Sequence, residues 1–188
     1  KLRIADVYES LKKTANGEIV SDNSKITFER YIMGSYFEQV LYYANLRFSK
    51  MTGGRYEIVR GESRDKRISA GLEISVRDNF NNKERDISSL SGGESFQASL
   101  ALALGLSDII QQRNGGIRLD SIFIDEGFGS LDNDSLASAI ETLNDLTGNG
   151  NRLVGIISHI SELKNSIGNK IEVVGTKSGL SLIHISEP

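Results

Sequence analysis

Cysteine is absent from this 188-residue chain, which excludes disulfides and thiolate metal sites within it. Proline occurs once, at Pro188, so turning the chain falls to glycine and asparagine rather than to fixed proline angles. No apolar run approaches the ~18 residues that a membrane-spanning helix needs, so none is expected. The opening KLRIADVYESLKK has no apolar centre of the secretory-signal kind. Neither sign of charge dominates: 22 lysines and arginines stand against 25 aspartates and glutamates, for a net charge of -3. That balance excludes a uniformly basic coat but not a local basic patch. Residues 1–60 carry +3 and residues 61–188 carry -6, which sum to the net -3, so the basic excess lies in the N-terminal part. With 38% hydrophobic residues, the chain has the composition of one globular domain, or of one lobe of a larger one.

Hydrophobic periodicity supplies the elements. Leu2, Ile4 or Ala5, Tyr8 and Leu11 recur at helical spacing against a charged opposite face; this stretch reads as the end of a longer helix. The turn-rich ANGEIVSDNSK follows, then a helix predicted over Phe28–Met51 with Phe37, Leu41, Ala44 and Phe48 on one face. MTGGRYEIVR stops that helix at glycine and opens a strand. AGLEISVRD alternates as a half-buried strand does, and DNFNNKERDISS is expected to be a polar loop. From Ser91 onward helices and strands alternate. A helix over Glu94–Arg113, apolar nearly all round, is expected to be buried; SIFID and RLVGIIS read as buried strands, a helix over Asn133–Leu146 joins them, and ISELKNSIG is a short helix. KIEVVG and LSLI are edge-like strands. This alternation predicts an α/β fold with a mostly parallel sheet, right-handed crossovers and flanking helices.

Three stretches carry chemistry. Asp125 and Glu126 end the apolar run SIFID. Ligands of open α/β sheets bind outside the carboxyl ends of the strands, where one carboxylate can hold Mg²⁺ and its neighbour can act as general base on water. A plain polar stop to a strand would leave the same trace. His159 lies just past the end of the next buried strand, within one or two strand spacings of Glu126 if the strands are adjacent, and could donate to a phosphate oxygen; alone, it is no more than a histidine at a turn. Leu90-Ser91-Gly92-Gly93-Glu94 opens the long helix. Ser91 and Glu94 fit a capping box, but two glycines in a first turn cost roughly 1 kcal/mol each. Bare backbone N–H groups at a helix N-terminus suit an anion, which would give those glycines a purpose.

In order, LSGGE, then IFIDE, then Ser130-Leu131-Asp132, then SHI resemble the C-terminal half of an ABC-type ATPase head: signature motif, Walker B pair, D-loop and switch histidine. DEGFGSLD, without the proline of the transporter wording, together with LEISVRD and LSGGESFQASLALALGLSDIIQ, is similar to the SbcC family, in the double-strand-break-repair branch of the SMC-like ATPases. The resemblance implies that Asp125 holds Mg²⁺ through water, that Glu126 polarises the attacking water, and that His159 contacts the γ-phosphate of ATP. It implies that Leu90, Ser91, Gly92, Gly93 and Glu94 meet a nucleotide held by a second head. Ser130, Leu131 and Asp132 would lie at the dimer seam, Asp132 doubling as a helix N-cap.

The resemblance further implies division into a coiled-coil end with connector (residues 1–24) and an ATPase lobe (25–182). Residues 183–188, IHISEP, do not match the family's ending and are expected to be a non-native tail. GxxxxGK[ST], the phosphate-cradling loop, occurs nowhere in the chain. The partners that the resemblance implies are the N-terminal Walker A lobe of the same protein, a second head, an SbcD-like nuclease subunit and double-stranded DNA, in a bacterial cytoplasm and with no membrane. Alone, the chain is expected to hydrolyse ATP negligibly and to expose the face meant for the missing lobe. Arg47, Lys50, Arg55, Arg60, Lys66 and Arg67 are candidate DNA-phosphate contacts. A nucleotide-independent DNA-clamping or structural module is the competing expectation.

Overall fold

In order along the chain come α1 (Leu2–Ala15), α2 (Phe28–Met51), β1 (Tyr56–Arg60), β2 (Ile74–Asp78), β3 (Lys83–Asp86), α3 (Gly92–Arg113), β4 (Ser121–Asp125), α4 (Asn133–Gly150), β5 (Leu153–Ile157), α5 (Ser161–Ser166), β6 (Asn169–Thr176) and β7 (Gly179–Ser186). The computed structural model describes residues 2–18, 27–61, 72–113, 119–150, 152–176 and 179–186. The fold is mixed α/β. Strands β1, β2 and β3 form an antiparallel sheet, β4 and β5 a parallel pair, and β6 and β7 an antiparallel hairpin.

Two long helices build the core. Thr27 caps α2 by accepting a hydrogen bond from the Arg30 amide, satisfying one of the donors a helix start leaves unpaired. Leu41, Ala44 and Phe48 are buried on the face that the spacing predicts, with Phe37 half-buried beside them. They meet Ala98, Ala101 and Leu104 of α3, Ile58 of β1 and Val76 of β2. Polar side chains fix the seams. The Asn45 amide both donates to the Ile58 carbonyl and accepts from the Ile58 amide, each at 2.8 Å, so a side chain of α2 pairs with β1 as a strand would. Buried Gln97 of α3 donates to the Met51 carbonyl at the end of α2.

The structure corrects the sequence reading in three places. The stretch read as a polar loop contains β3, a strand of Lys-Glu-Arg-Asp paired with β2; no hydrophobic alternation marks it, because neither of its faces enters the core. Helix α3 is not buried all round: Ser95, Ser99, Ala103 and Leu106 form an exposed stripe. Strands β4 and β5 are apolar on both faces but covered on one. Ile122, Ile124, Val154 and Ile156 pack on the core, whereas Phe123, Leu153 and Ile157 are exposed.

At the N-terminus, α1 carries an exposed apolar stripe of Ile4, Val7, Tyr8 and Leu11, the spacing of a coiled-coil seam. At the other end, residues 183–186, expected to belong to a non-native tail, continue β7 opposite Asn169–Glu172.

Candidate functional site

The chemistry-bearing residues gather around one turn, residues 126–131, which follows β4. Parallel pairing sets Asp125 opposite Ile157. The residues just past the two strand ends are therefore neighbours, and His159 Nδ1 lies 3.2 Å from Glu126 Oε1, in hydrogen-bond contact when Nδ1 carries the proton. Both side chains stand mostly in solvent, as does Asp125 at the strand end. The three residues read from two separate stretches of sequence thus share one rim.

The backbone there is unusual. Glu126 has φ +56°, a left-handed conformation that costs a non-glycine residue on the order of 1–3 kcal/mol unless its surroundings hold it. Its amide donates to the Ile157 carbonyl at 2.9 Å, anchoring it to β5. Gly127 follows with φ +95°, which an L side chain would resist. Phe128 then turns inward and is buried, and the Ser130 hydroxyl closes the turn by donating to the Gly127 carbonyl.

The far side of the same turn meets the start of α3. Ser91 and Glu94 form the expected capping box: the Ser91 amide donates to Glu94 Oε2 at 2.9 Å and the Glu94 amide to Ser91 Oγ at 3.3 Å. Gly92 and Gly93 supply amides that the helical ladder does not use. The two glycines differ, however. A Cβ on Gly93 would lie 2.8 Å from the Ser130 carbonyl oxygen, whereas one on Gly92 would touch only Ser130 Cβ at 3.5 Å. Gly93 therefore has a packing cause that the sequence reading missed, since nothing local signals that residue 130 returns to residue 93. Asp132 caps α4, accepting from the Ser135 amide at 2.8 Å.

A polar groove of about 400 Å³ runs between these parts, lined by Ser91, Gly93, Glu94, Ser130, Asp132 and Tyr56 among others. Burial pushes the Glu94 carboxyl up, but hydrogen bonds from the Ser91 amide, the Tyr56 hydroxyl and the Ser91 hydroxyl outweigh it and hold the group below its ordinary value. The Ser135 amide and hydroxyl hold Asp132 low. Burial, then the Glu94 carboxylate, raise Tyr56. Arg55 and Arg85 lie over the Tyr56 ring at 4.7 and 5.4 Å. Sequence reasoning passed over Tyr56 and Arg85, which carry no motif.

Asp125, Glu126 and His159 do not line this groove. The candidate residues thus form two groups, one at each side of the 126–131 turn. The basic candidates are internally engaged: Arg47 with Asp108, Lys50 with Glu141 and Asp145, Arg55 with Asp78, and Arg60 with Glu38. Lys66 and Arg67 lie outside the described residues. No helix among the described residues is long and apolar enough to cross a membrane.

Comparison with known proteins gives these positions a context. Residues 62–145 match a family described as SbcC/RAD50-like, Walker B motif. The chain is 48% identical over 177 residues to the SbcC component of the SbcCD nuclease of Vibrio cholerae, covering 94% of this chain and 17% of that protein. It is 55% identical over 153 residues to the Staphylococcus epidermidis protein of the same name, covering 81% of this chain and 15% of the relative. The chain thus spans about one sixth of the length of the curated relatives it matches. Its fold matches the Smc head domain of Pyrococcus furiosus, solved with an extended coiled coil and the C-terminal domain of ScpA, with TM-score 0.62 and 17% identity over 98% of this chain and 44% of that one.

Proposed function

This chain belongs to the SbcC/SMC family of ATPase heads, and from that premise we propose that residues 25–182 are the C-terminal lobe of a composite ATP-hydrolysing head. The observation that carries the proposal is the Glu126–His159 contact at 3.2 Å, made at adjacent parallel strand ends by residues whose motifs resemble the family's Walker B pair and switch-histidine loop. Oε1 of Glu126 is held by His159, which leaves Oε2 to accept a proton from an attacking water. With both ring nitrogens protonated, His159 can keep the Nδ1 bond to Glu126 and donate from Nε2 to a phosphate oxygen.

Asp125 offers one exposed hard-oxygen donor, and no group of three metal-binding side chains occurs among the described residues. A single carboxylate at that strand end suits Mg²⁺, which keeps several waters and takes other ligands from phosphates; when bound, it would neutralise charge on those phosphates. The amides of Gly92 and Gly93, with the positive end of α3 behind them, suit the terminal phosphate of a nucleotide. Their separation from the Glu126 rim supports a nucleotide held by a second copy of the head, with Ser130, Leu131 and Asp132 at the seam between copies. The phosphate loop this chain lacks would come from the N-terminal lobe of the same protein. Nucleotide-driven joining of heads would then govern an SbcD-like nuclease subunit acting on double-stranded DNA during break and hairpin processing.

A nucleotide-independent clamping module is the second reading. It is favoured by the Gly93–Ser130 approach, which explains one signature glycine without an anion.

The test is ATP turnover after mixing this chain with the N-terminal lobe of a closely related SbcC. Expected are negligible turnover alone, Mg²⁺-dependent turnover in the mixture, and a loss of roughly 10²-fold or more in Glu126→Gln. Association of the lobes without hydrolysis would favour the clamp. Turnover by the chain alone, abolished by Glu126→Gln, would overturn the half-head reading.

A further inference from the structure

The two groups of site residues are joined by one side chain that belongs to neither. Phe96 lies one helical turn after Gly93 on α3, so both face the 126–131 turn. Its ring sits against Gly127: a Cβ on that glycine would fall 2.3 Å from Phe96 Cε2 and 2.4 Å from Cδ2. The same ring meets Phe128 edge-on, with centroids 4.8 Å apart and planes at 62°. Phe128 is in turn buried in the core. Phe96 therefore wedges between the two residues that follow Glu126, while Glu126 itself holds a left-handed φ of +56°.

We propose that Phe96 is a positioning residue for Glu126: its ring, packed on Gly127 and Phe128, holds the turn that keeps Glu126 left-handed and its carboxylate on His159. Without the ring, Gly127 has room to swing toward α3. Glu126 can then relax to the ordinary right-handed or extended region, turning its carboxylate off the rim. Because Phe96 rides on the helix whose first turn carries Ser91–Glu94, a displacement of that turn also reaches the Glu126 backbone. One chain's anion-facing helix start is thereby linked to its own hydrolytic carboxylate through a contact of two rings and one glycine.

The proposal rests on the composite-head reading for its catalytic consequence, but not for its structural one, and the experiment separates them. Phe96→Ala and Phe96→Leu are compared with the unaltered chain in the mixture with the N-terminal lobe, well below their melting temperatures. The expected result is at least a tenfold fall in kcat for Phe96→Ala with KM for ATP unchanged, and recovery of most of it in Phe96→Leu, whose bulk still blocks Gly127. In parallel, amide hydrogen exchange is measured on the chain alone. The Glu126 amide, bonded to the Ile157 carbonyl, should exchange faster in Phe96→Ala while the other β4–β5 amides keep their protection. A residue that merely contributes bulk to the core would speed all of them together. Unchanged kcat in Phe96→Ala overturns the proposal, as does uniform loss of protection. If the unaltered mixture does not turn over ATP, the composite-head reading fails, and selective or uniform exchange at Glu126 alone decides for or against Phe96.

Discussion

Gly92 and Gly93 are adjacent, share a helix turn and read identically in the sequence, yet they should respond oppositely to alanine. At Gly92 the added methyl meets Ser130 Cβ at an ordinary 3.5 Å, so Gly92→Ala should raise stability by up to about 1 kcal/mol through helix propensity. At Gly93 the methyl meets the Ser130 carbonyl oxygen at 2.8 Å, and Gly93→Ala should cost about 1–3 kcal/mol. Urea melts of the two variants check the pair; equal effects would mean that the 130 turn does not rest on α3. The capping box was legible because its partners are three residues apart, and Ser91→Ala should cost about 1 kcal/mol. Its carboxylate adds a pH dependence. Glu94 is held below its ordinary value of 4.5, so its contribution is fully present above that value and is lost as pH falls through the lower folded value. Acid melts of Glu94→Gln should lose that part of the slope, and an unchanged slope would remove Glu94 from the account. The left-handed Glu126 and its wedge Phe96 were not legible, since a backbone angle and a contact between distant residues leave no periodic trace.

Among the elements, α2 and the strand ends were legible because hydrophobic spacing and glycine stops encode them locally, whereas β3 was not, since Lys83–Asp86 is a strand only by pairing with β2. The assembly of elements also depends on charges whose pairing no spacing reveals. Asp108 on α3 binds Arg47 of α2 at 2.7 Å and Arg152, just before β5, at 2.9 Å, all three side chains at least four-fifths buried. One carboxylate therefore offsets two guanidinium groups. Asp108→Asn keeps the shape and leaves two like charges together in a poorly solvated place, so it should cost about 3 kcal/mol. Adding Arg152→Met should restore part of that loss, because the second charge is then gone. A cost below about 0.5 kcal/mol, the range of exposed pairs, would show that water reaches the triad. The arrangement also bears on the basic candidates: Arg47 already answers to Asp108, so neutralising it should change stability more than any salt-dependent affinity for DNA.

At the scale of the whole molecule the informative surface is the outer face of β4 and β5. The sequence predicts strands apolar on both faces, as in the middle of a parallel sheet, and that composition is present while the cover on one side is not. Phe123 is 70%, Leu153 65% and Ile157 58% exposed. The Phe123 ring lies over Gly155, where a Cβ would come within 2.5 Å of it, so the three side chains form a continuous patch. A patch of this kind lowers its free energy by meeting another apolar surface. By itself the chain should therefore associate with its own copies as concentration rises, and sedimentation velocity should show the mean mass growing. Phe123→Ser with Ile157→Ser should suppress that growth with little change in the melt, because neither side chain belongs to the buried core. The same double variant should weaken association with an N-terminal lobe, since under the composite-head proposal that lobe covers this face. A chain that stays monomeric throughout, and a double variant that binds the lobe as well as its parent, would together place the missing cover elsewhere and remove the physical basis for reading these two strands as the interior of a larger sheet.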